Sequence, residues 1–429
     1  MENIQSPIFK KIKIAYNNDS IIIYLSFFLV LFMMYRNSWL PGGLMFIGKE
    51  NFVVLVLSIF FFWLVFDFNK VFSLKFSLKS EYFGLGTLIL IGIYSVIYNV
   101  SNEFINLYNI TRFIAFIFYA FLFFYYLPKL ILINNSYFKS ITKFYAILGS
   151  AVGIIGILMY IVGFVPYSYY TANSRYISVI IHPNQVSLLL TPTTITTLYY
   201  FLINKQKFSV YKKIFYIVSV LIQLLSQFLT LCRGGILGTF IGVLLLLFFF
   251  YRGKIFILIS VFISFVYYFI NTIFLSKGNV SNIGRFLLLI PVYNMLVEKN
   301  MHTFFGYGVT NAFKAFEDYR AKFDVLEPVN NPHNVILSMF IMFGLIFTIF
   351  FLIFFISLLI KGWRYSSRAK ERNTKMFYGF LFASTFSIFI QGVTDSAIIM
   401  PEYYVMPPFL LSLGLLFLFT RQKNKFTYN

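Results

Sequence analysis

The sequence predicts an all-α, polytopic integral membrane protein, and three observations carry that prediction. Hydrophobic residues make up 59% of the 429-residue chain and charged residues only 11%, whereas soluble domains carry roughly 25% charged residues. Apolar stretches of about 18 residues or more, enough to cross a bilayer as helix, recur along the chain. The formal net charge of +21 is gathered in short basic segments between those stretches, as in the cytoplasmic loops of membrane proteins. Basic loops account for the charge without a nucleic-acid partner. The single cysteine, Cys232, rules out an intrachain disulfide framework and a cysteine metal cluster.

Twelve spans are predicted, near residues 20–35, 51–67, 82–99, 110–127, 144–165, 186–204, 214–231, 234–251, 255–275, 334–360, 376–393 and 403–420. Lys10, Lys11 and Lys13 precede the first span without a small-residue cleavage site after it, which predicts a retained helix. Basic residues follow spans two, four, six, eight and ten, most densely as Lys361, Arg364, Arg368, Lys370, Arg372 and Lys375. All of them fall on one side if both termini are cytoplasmic. The chain reads as one membrane domain, residues 1–429.

Two of the connections on the opposite side are informative. Residues 276–332, between spans nine and ten, form a 57-residue extracytoplasmic loop with five of the chain's fourteen acidic residues. Its segment GRFLLLIPVYNMLVEKN predicts an amphipathic helix, and PVNNPH predicts a turn. A loop this long is usually functional. The segment PYSYYTANSRYISVIIHPNQ at 166–185 is rich in tyrosine and polar groups, suited to stacking on sugar rings or to interfacial anchoring.

From Ile214 to Tyr251 the only charged residue is Arg233, in TLCRGGILG. As one helix those 38 residues would run about 57 Å, against a hydrocarbon core of roughly 30 Å. Two spans joined by a minimal turn fit, and Gly234 and Gly235 are predicted to supply it because glycine accepts backbone angles closed to other residues. Arg233 then lies at the outer face. There it can merely snorkel, or it can meet other polar residues expected on the same side. Those are Arg285 in NIGR, His333 and Asn334 in NPHN, and Arg175 and His182 in the 166–185 segment. His302, in mid-loop, is assigned no role.

Cations beside a neutral histidine suit an anionic, lipid-linked substrate. Guanidinium groups hold phosphate oxygens bidentately and stay charged, and a histidine can take a proton from an attacking hydroxyl. The sequence shows no DxD and no cluster with metal-ligand spacing. A diphosphate leaving group is therefore expected to be stabilised by arginine without a metal or other cofactor.

The ordered set of RGG at 233–235, Arg285, FGYGVTNAF at 305–313 and HNVILSMFIMFGLI at 333–346 resembles the O-antigen ligase and polymerase family. The resemblance spans the region from span seven to span ten. It implies a C-type glycosyltransferase architecture acting on undecaprenyl-diphosphate-linked glycans outside the membrane, with the lipid bilayer, a chain-length regulator and a flippase as further partners. By resemblance Arg233 and Arg285 contact the donor diphosphate and His333 serves the acceptor hydroxyl. Asn334 and Gly308 match the pattern too and are expected to shape the backbone of the substrate site more than to take part in the chemistry. Tyr307, and Arg175 and His182 from outside the region of resemblance, are further candidate substrate contacts. Phe347 and Cys232 depart from the pattern, standing where the ligase-like pattern has Gly, Thr or Tyr and often serine. The expected function is polymerisation of O-antigen, capsular or exopolysaccharide repeat units. A ligase acting on lipid A core is the alternative, and a lipid-linked oligosaccharide flippase the alternative of another class.

Overall fold

A computed structural model describes residues 22–34, 118–163, 178, 180, 183–251, 287–298, 301–322, 332–395 and 406–422. Every regular element among them is helical. In chain order these are α1 (Ile22–Met34) and α2 (Leu127–Ile133), which is led in by π-helical winding over Ala120–Tyr126. Next come α3 (Asn135–Val162), α4 (Pro183–Asn204), α5 (Val210–Leu229) and α6 (Arg233–Phe250). The connection contributes α7 (Leu289–Val297), α8 (Met301–Phe305) and α9 (Gly308–Lys322). Last are α10 (Val335–Arg368), α11 (Arg372–Gly392) and α12 (Met406–Gln422).

Five of these, α3, α4, α5, α6 and α10, are long and apolar enough to cross a membrane, and α1 and α12 are shorter apolar helices. The expected spans at 51–67, 82–99 and 255–275 lie outside the described residues. The expected helices from 186–204 to 234–251, and those beginning near 334, 376 and 403, are present.

Burial in α5 is inverted relative to a soluble helix. Its buried residues are Ser219, Gln223, Ser226 and Gln227, while Ile214, Phe215, Leu221 and Leu225 are exposed. A helix that hides amides and hydroxyls and shows Ile, Leu and Phe is built for lipid outside and hydrogen bonds inside. The same rule explains α11, which is not among those five apolar helices. Its Ser384, Thr385, Ser387 and Gln391 are all buried, so what it loses in hydropathy it uses in contact with its neighbours.

Side-chain registers set the helix directions. Tyr365 stacks with Tyr378 and Phe355 packs against Phe389, so α10 and α11 are antiparallel. Along α6 and α11, Gly234 faces Thr394, Gly242 faces Ser387 and Gly379 faces Phe249, again antiparallel. On α4 and α5, Ser187 meets Gln227 and Thr197 meets Gln223, which makes that pair antiparallel too. The end of α5, the starts of α4 and α6 and the end of α11 therefore converge at one end of the bundle.

Candidate active site

Thr230, Leu231 and Cys232 make the turn between α5 and α6, and Leu231 takes the left-handed conformation (φ 50°). Thr230 Oγ1 accepts from the Cys232 N–H at 3.2 Å, tightening the reversal. Gly234 and Gly235 do not supply the turn. They are helical residues of α6's first turn and are fully buried. Their lack of a side chain serves close approach. A Cβ on Gly234 would overlap Thr394 Oγ1, and one on Gly235 would overlap Ser187 Oγ and Gln227 Nε2. Gly238 and Gly242 continue the stripe against Ser387 of α11. Small residues at four-residue spacing bring helices together in this way.

Beneath the tip lies a buried polar seam. Gln227 Nε2 donates to Ser187 Oγ at 2.6 Å, and Gln391 Nε2 donates to the same oxygen at 3.2 Å. Thr191 and Thr239 share a hydrogen bond of 2.8 Å, and Gln223 Nε2 donates to Thr197 Oγ1 and Ser150 Oγ at 3.0 and 3.2 Å. Arg233, half-buried, occupies the first position of α6 directly above this seam. Polar groups in a membrane interior cost free energy unless paired, so this network ties the position of α6 to helices α4, α5 and α11. Ser187, Gln227 and Gln391 were not among the expected site residues. Their signal was present: Ser219, Gln223, Ser226, Gln227 and Thr230 recur at helical spacing through span seven and mark one inward face.

The second part of the site begins at His333, which also adopts a left-handed conformation (φ 48°). Left-handed backbone in a non-glycine residue costs on the order of 1–3 kcal/mol and gathers at functional sites. Among the described residues Leu231 and His333 are the two such cases, one beside Arg233 and the other the expected base itself. Asn334 then caps α10, its side-chain oxygen accepting from the N–H groups of Ile336 and Leu337 at 2.9 and 3.2 Å. Asn334→Ala is expected to cost about 1 kcal/mol through this cap. Thermal unfolding of the Ala and Asp variants checks it, because Asp keeps the acceptor and should retain most of the stability.

The helix that His333 introduces is broken at Gly344, whose backbone (φ 82°, ψ 174°) is not helical. The break frees the Ile341 carbonyl, which accepts from the Tyr307 N–H at 2.8 Å. The connection docks here. Gly306, at φ 82°, presses its backbone on Met342, and Gly344 lies against the Phe304 carbonyl with no room for a Cβ on either. Gly308, at φ 81°, starts α9.

Tyr307 is held by its neighbours. Its ring stacks on His302 at a centroid distance of 4.5 Å, and its hydroxyl donates to Tyr319 at 3.4 Å. Tyr319 in turn donates to Glu298, which pairs with Lys322 at 3.7 Å. Burial first, then the hydrogen bond to the Glu298 carboxylate, push the Tyr319 phenol far above its ordinary range, so it remains a proton donor at neutral pH. His302 thus acts in the loop clamp, a role its sequence position did not suggest.

Because α10 beyond Gly344 runs antiparallel to α11, the break lies at the same end as Gln391, Thr394 and Arg233. The structure thereby brings the Arg233 hairpin and the docked Tyr307–Gly308 turn to one end of the bundle. Arg285, Arg175 and His182 lie outside the described residues.

A search of curated proteins finds no match to the chain. The family model described as O-antigen ligase matches residues 218–352, a stretch that contains Arg233, Arg285, Tyr307, Gly308, His333 and Asn334 but not Arg175 or His182. It begins within α5 and ends just past the Gly344 break, so the part of the chain that carries both halves of the site is similar to that family.

Proposed function

We propose that the protein polymerises oligosaccharide repeat units carried on undecaprenyl diphosphate, at the outer face of a bacterial cytoplasmic membrane, with both termini cytoplasmic. What supports this reading above all is the position of Arg233, the lone charge of a 38-residue apolar stretch. It begins α6 above a buried polar seam, at the bundle end where the connection helices dock. The uncapped first turn of a helix adds partial positive charge to such a guanidinium.

In the proposed reaction the growing glycan on its lipid carrier is the donor and a hydroxyl of the incoming lipid-linked repeat is the acceptor. The hydroxyl oxygen attacks the anomeric carbon while the bond to the diphosphate oxygen breaks, with inversion. Arg233 and Arg285 neutralise the charge developing on the departing diphosphate, and His333 accepts the hydroxyl proton. The chemistry asks for no metal or cofactor, and a C-type glycosyltransferase framework is part of the proposal. A chain-length regulator and a flippase are the proposed partners.

A second reading, transfer of finished glycan to lipid A core, is favoured by the description of the matching family as O-antigen ligase. A deletion strain separates the two. Surface glycan cut to a single repeat supports the polymerase, whereas loss of all core-attached glycan with long polymer retained on the carrier supports the ligase. Repeat units trapped in the cytoplasmic leaflet would reject both in favour of a flippase. For the site, Arg233→Ala, Arg285→Ala and His333→Ala are each expected to abolish polymer ladders at unchanged protein level. Removing one charge-stabilising donor commonly costs about 100- to 1,000-fold in rate, so normal ladders in all three variants would reject the assignment.

A further inference from the structure

The eleven residues from Leu287 to Val297, LLLIPVYNMLV, contain no charged group, although they belong to a connection outside the spanning helices. Leu288, Pro291, Val292 and Met295 turn inward. Ile290, Tyr293 and Val297 share the opposite face at spacings of three and four, and Tyr293 is 65% and Val297 54% exposed. Met301 and Phe304 extend the apolar surface onto α8, and both are exposed. A face of this composition is unfavourable against water, and isolated surface residues do not explain its continuity.

Its place in the fold indicates what covers it. Phe304 is fixed against α10 at Gly344. Only five and six residues further along, Ile349 and Phe350 are exposed, followed by Ile353 and Ile356. That row is the outward surface of a helix long and apolar enough to cross a membrane. At 1.5 Å per residue, Phe350 lies about 9 Å from Gly344 along the axis. Phe304 of α8 therefore sits close to the level where the exposed apolar row of α10 begins, and α7 is tied to α8 by Thr303 Oγ1, which donates to the Met295 carbonyl at 2.9 Å. Tyr293, in the middle of α7, is a residue type enriched at membrane interfaces. Glu298, at the end of α7, turns its charge toward Tyr319 and Lys322, away from the apolar row.

We infer that α7 and α8 form an interfacial element whose apolar face, centred on Tyr293 and Val297, is seated in the lipid leaflet at the site end of the bundle. Amphipathic helices of this kind lie in the headgroup and acyl boundary. The consequence is mechanical. The same segment that docks on Gly344 through Phe304, Gly306 and Tyr307 is anchored in lipid, which holds the candidate site at headgroup height.

The test is site-specific photocrosslinking in the full-length protein. A benzophenone amino acid is placed singly at Tyr293, Val297, Phe350 or Lys314, and the protein is irradiated in nanodiscs of phosphatidylethanolamine and phosphatidylglycerol. Phospholipid adducts, read by mass spectrometry, are expected at 293, 297 and the lipid-facing control 350, and not at 314. Adducts at 293 and 297 to this chain or to a second copy would overturn the inference by identifying a protein cover. Absence of any adduct at both positions, with 350 reacting, would overturn it by identifying a water-exposed face. None of these arms depends on catalytic activity, so the result is independent of the proposed reaction.

Discussion

Alanine at Gly344 is expected to release the connection helices from the bundle while leaving the spanning helices largely intact. The backbone there (φ 82°, ψ 174°) lies in a region essentially reserved for glycine, and a side chain in it costs on the order of 1–3 kcal/mol. The added Cβ would also overlap the Phe304 carbonyl, a backbone group that cannot rotate aside, and overpacking adds about 1–3 kcal/mol. The easiest escape is for α10 to wind continuously through the position. That returns the Ile341 carbonyl to its own helix and takes it from the Tyr307 N–H, undocking Gly306 and Tyr307. A shift of about 2 kcal/mol raises the undocked population roughly thirtyfold. Limited proteolysis across residues 298–308 in nanodiscs should accelerate accordingly, and polymer formation should be lost while the variant remains membrane-inserted. Wild-type cleavage rates together with normal glycan length would rule out a docking role for Gly344.

The second large effect is expected at Gly235. A turn glycine and a packing glycine respond differently to alanine, and this position is helical. On helix propensity alone, alanine would gain about 1 kcal/mol. Packing reverses the sign, because the new Cβ would overlap Ser187 Oγ and Gln227 Nε2 and come within 2.7 Å of Gln391 Nε2. The overlap costs about 1–3 kcal/mol, and displacing Ser187 leaves two buried amides unpaired at about 1–3 kcal/mol each. Gly235→Ala should therefore lower thermal stability and shift the start of α6 that carries Arg233, depressing activity as Arg233→Ala does. Adding Ser187→Gly makes room for the methyl, so the double variant should be less destabilised than the sum of its single changes. Simple additivity would show that the glycine and the serine do not meet as described.

These two residues also show where reading a sequence stops. Gly344 and Gly235 are both plain glycines in apolar helical stretches, and nothing adjacent to them in the chain distinguishes a break from a close contact. The turn was assigned to Gly234 and Gly235 because glycine is the usual means of reversing a chain, yet Leu231 makes it, and the glycines answer to Ser187 and Thr394 at distant positions. His302 looked incidental in its loop and proves to stack on Tyr307. Asn334 matched a family pattern, and its side-chain oxygen caps α10. For Gly344 and Gly235 the deciding neighbours, Phe304 and Ser187, are far away in sequence, so local composition carries no trace of them.

Other features were legible because a bilayer imposes a one-dimensional constraint. Hydrocarbon of fixed thickness demands apolar helices of a minimum length, so the all-helical membrane class and the division of residues 214–251 into two helices follow from counting. Charge is costly in that medium, which made Arg233 stand out. Tertiary structure alone decided what the inward faces meet: the partners Ser187, Thr197 and Ser150 of the α5 amides, the glycine stripe of α6 against α11, and the broken α10 that receives Tyr307. Lipid specifies length and hydropathy, but pairing of buried polar groups and backbone clearance are set by partners that only folding brings together.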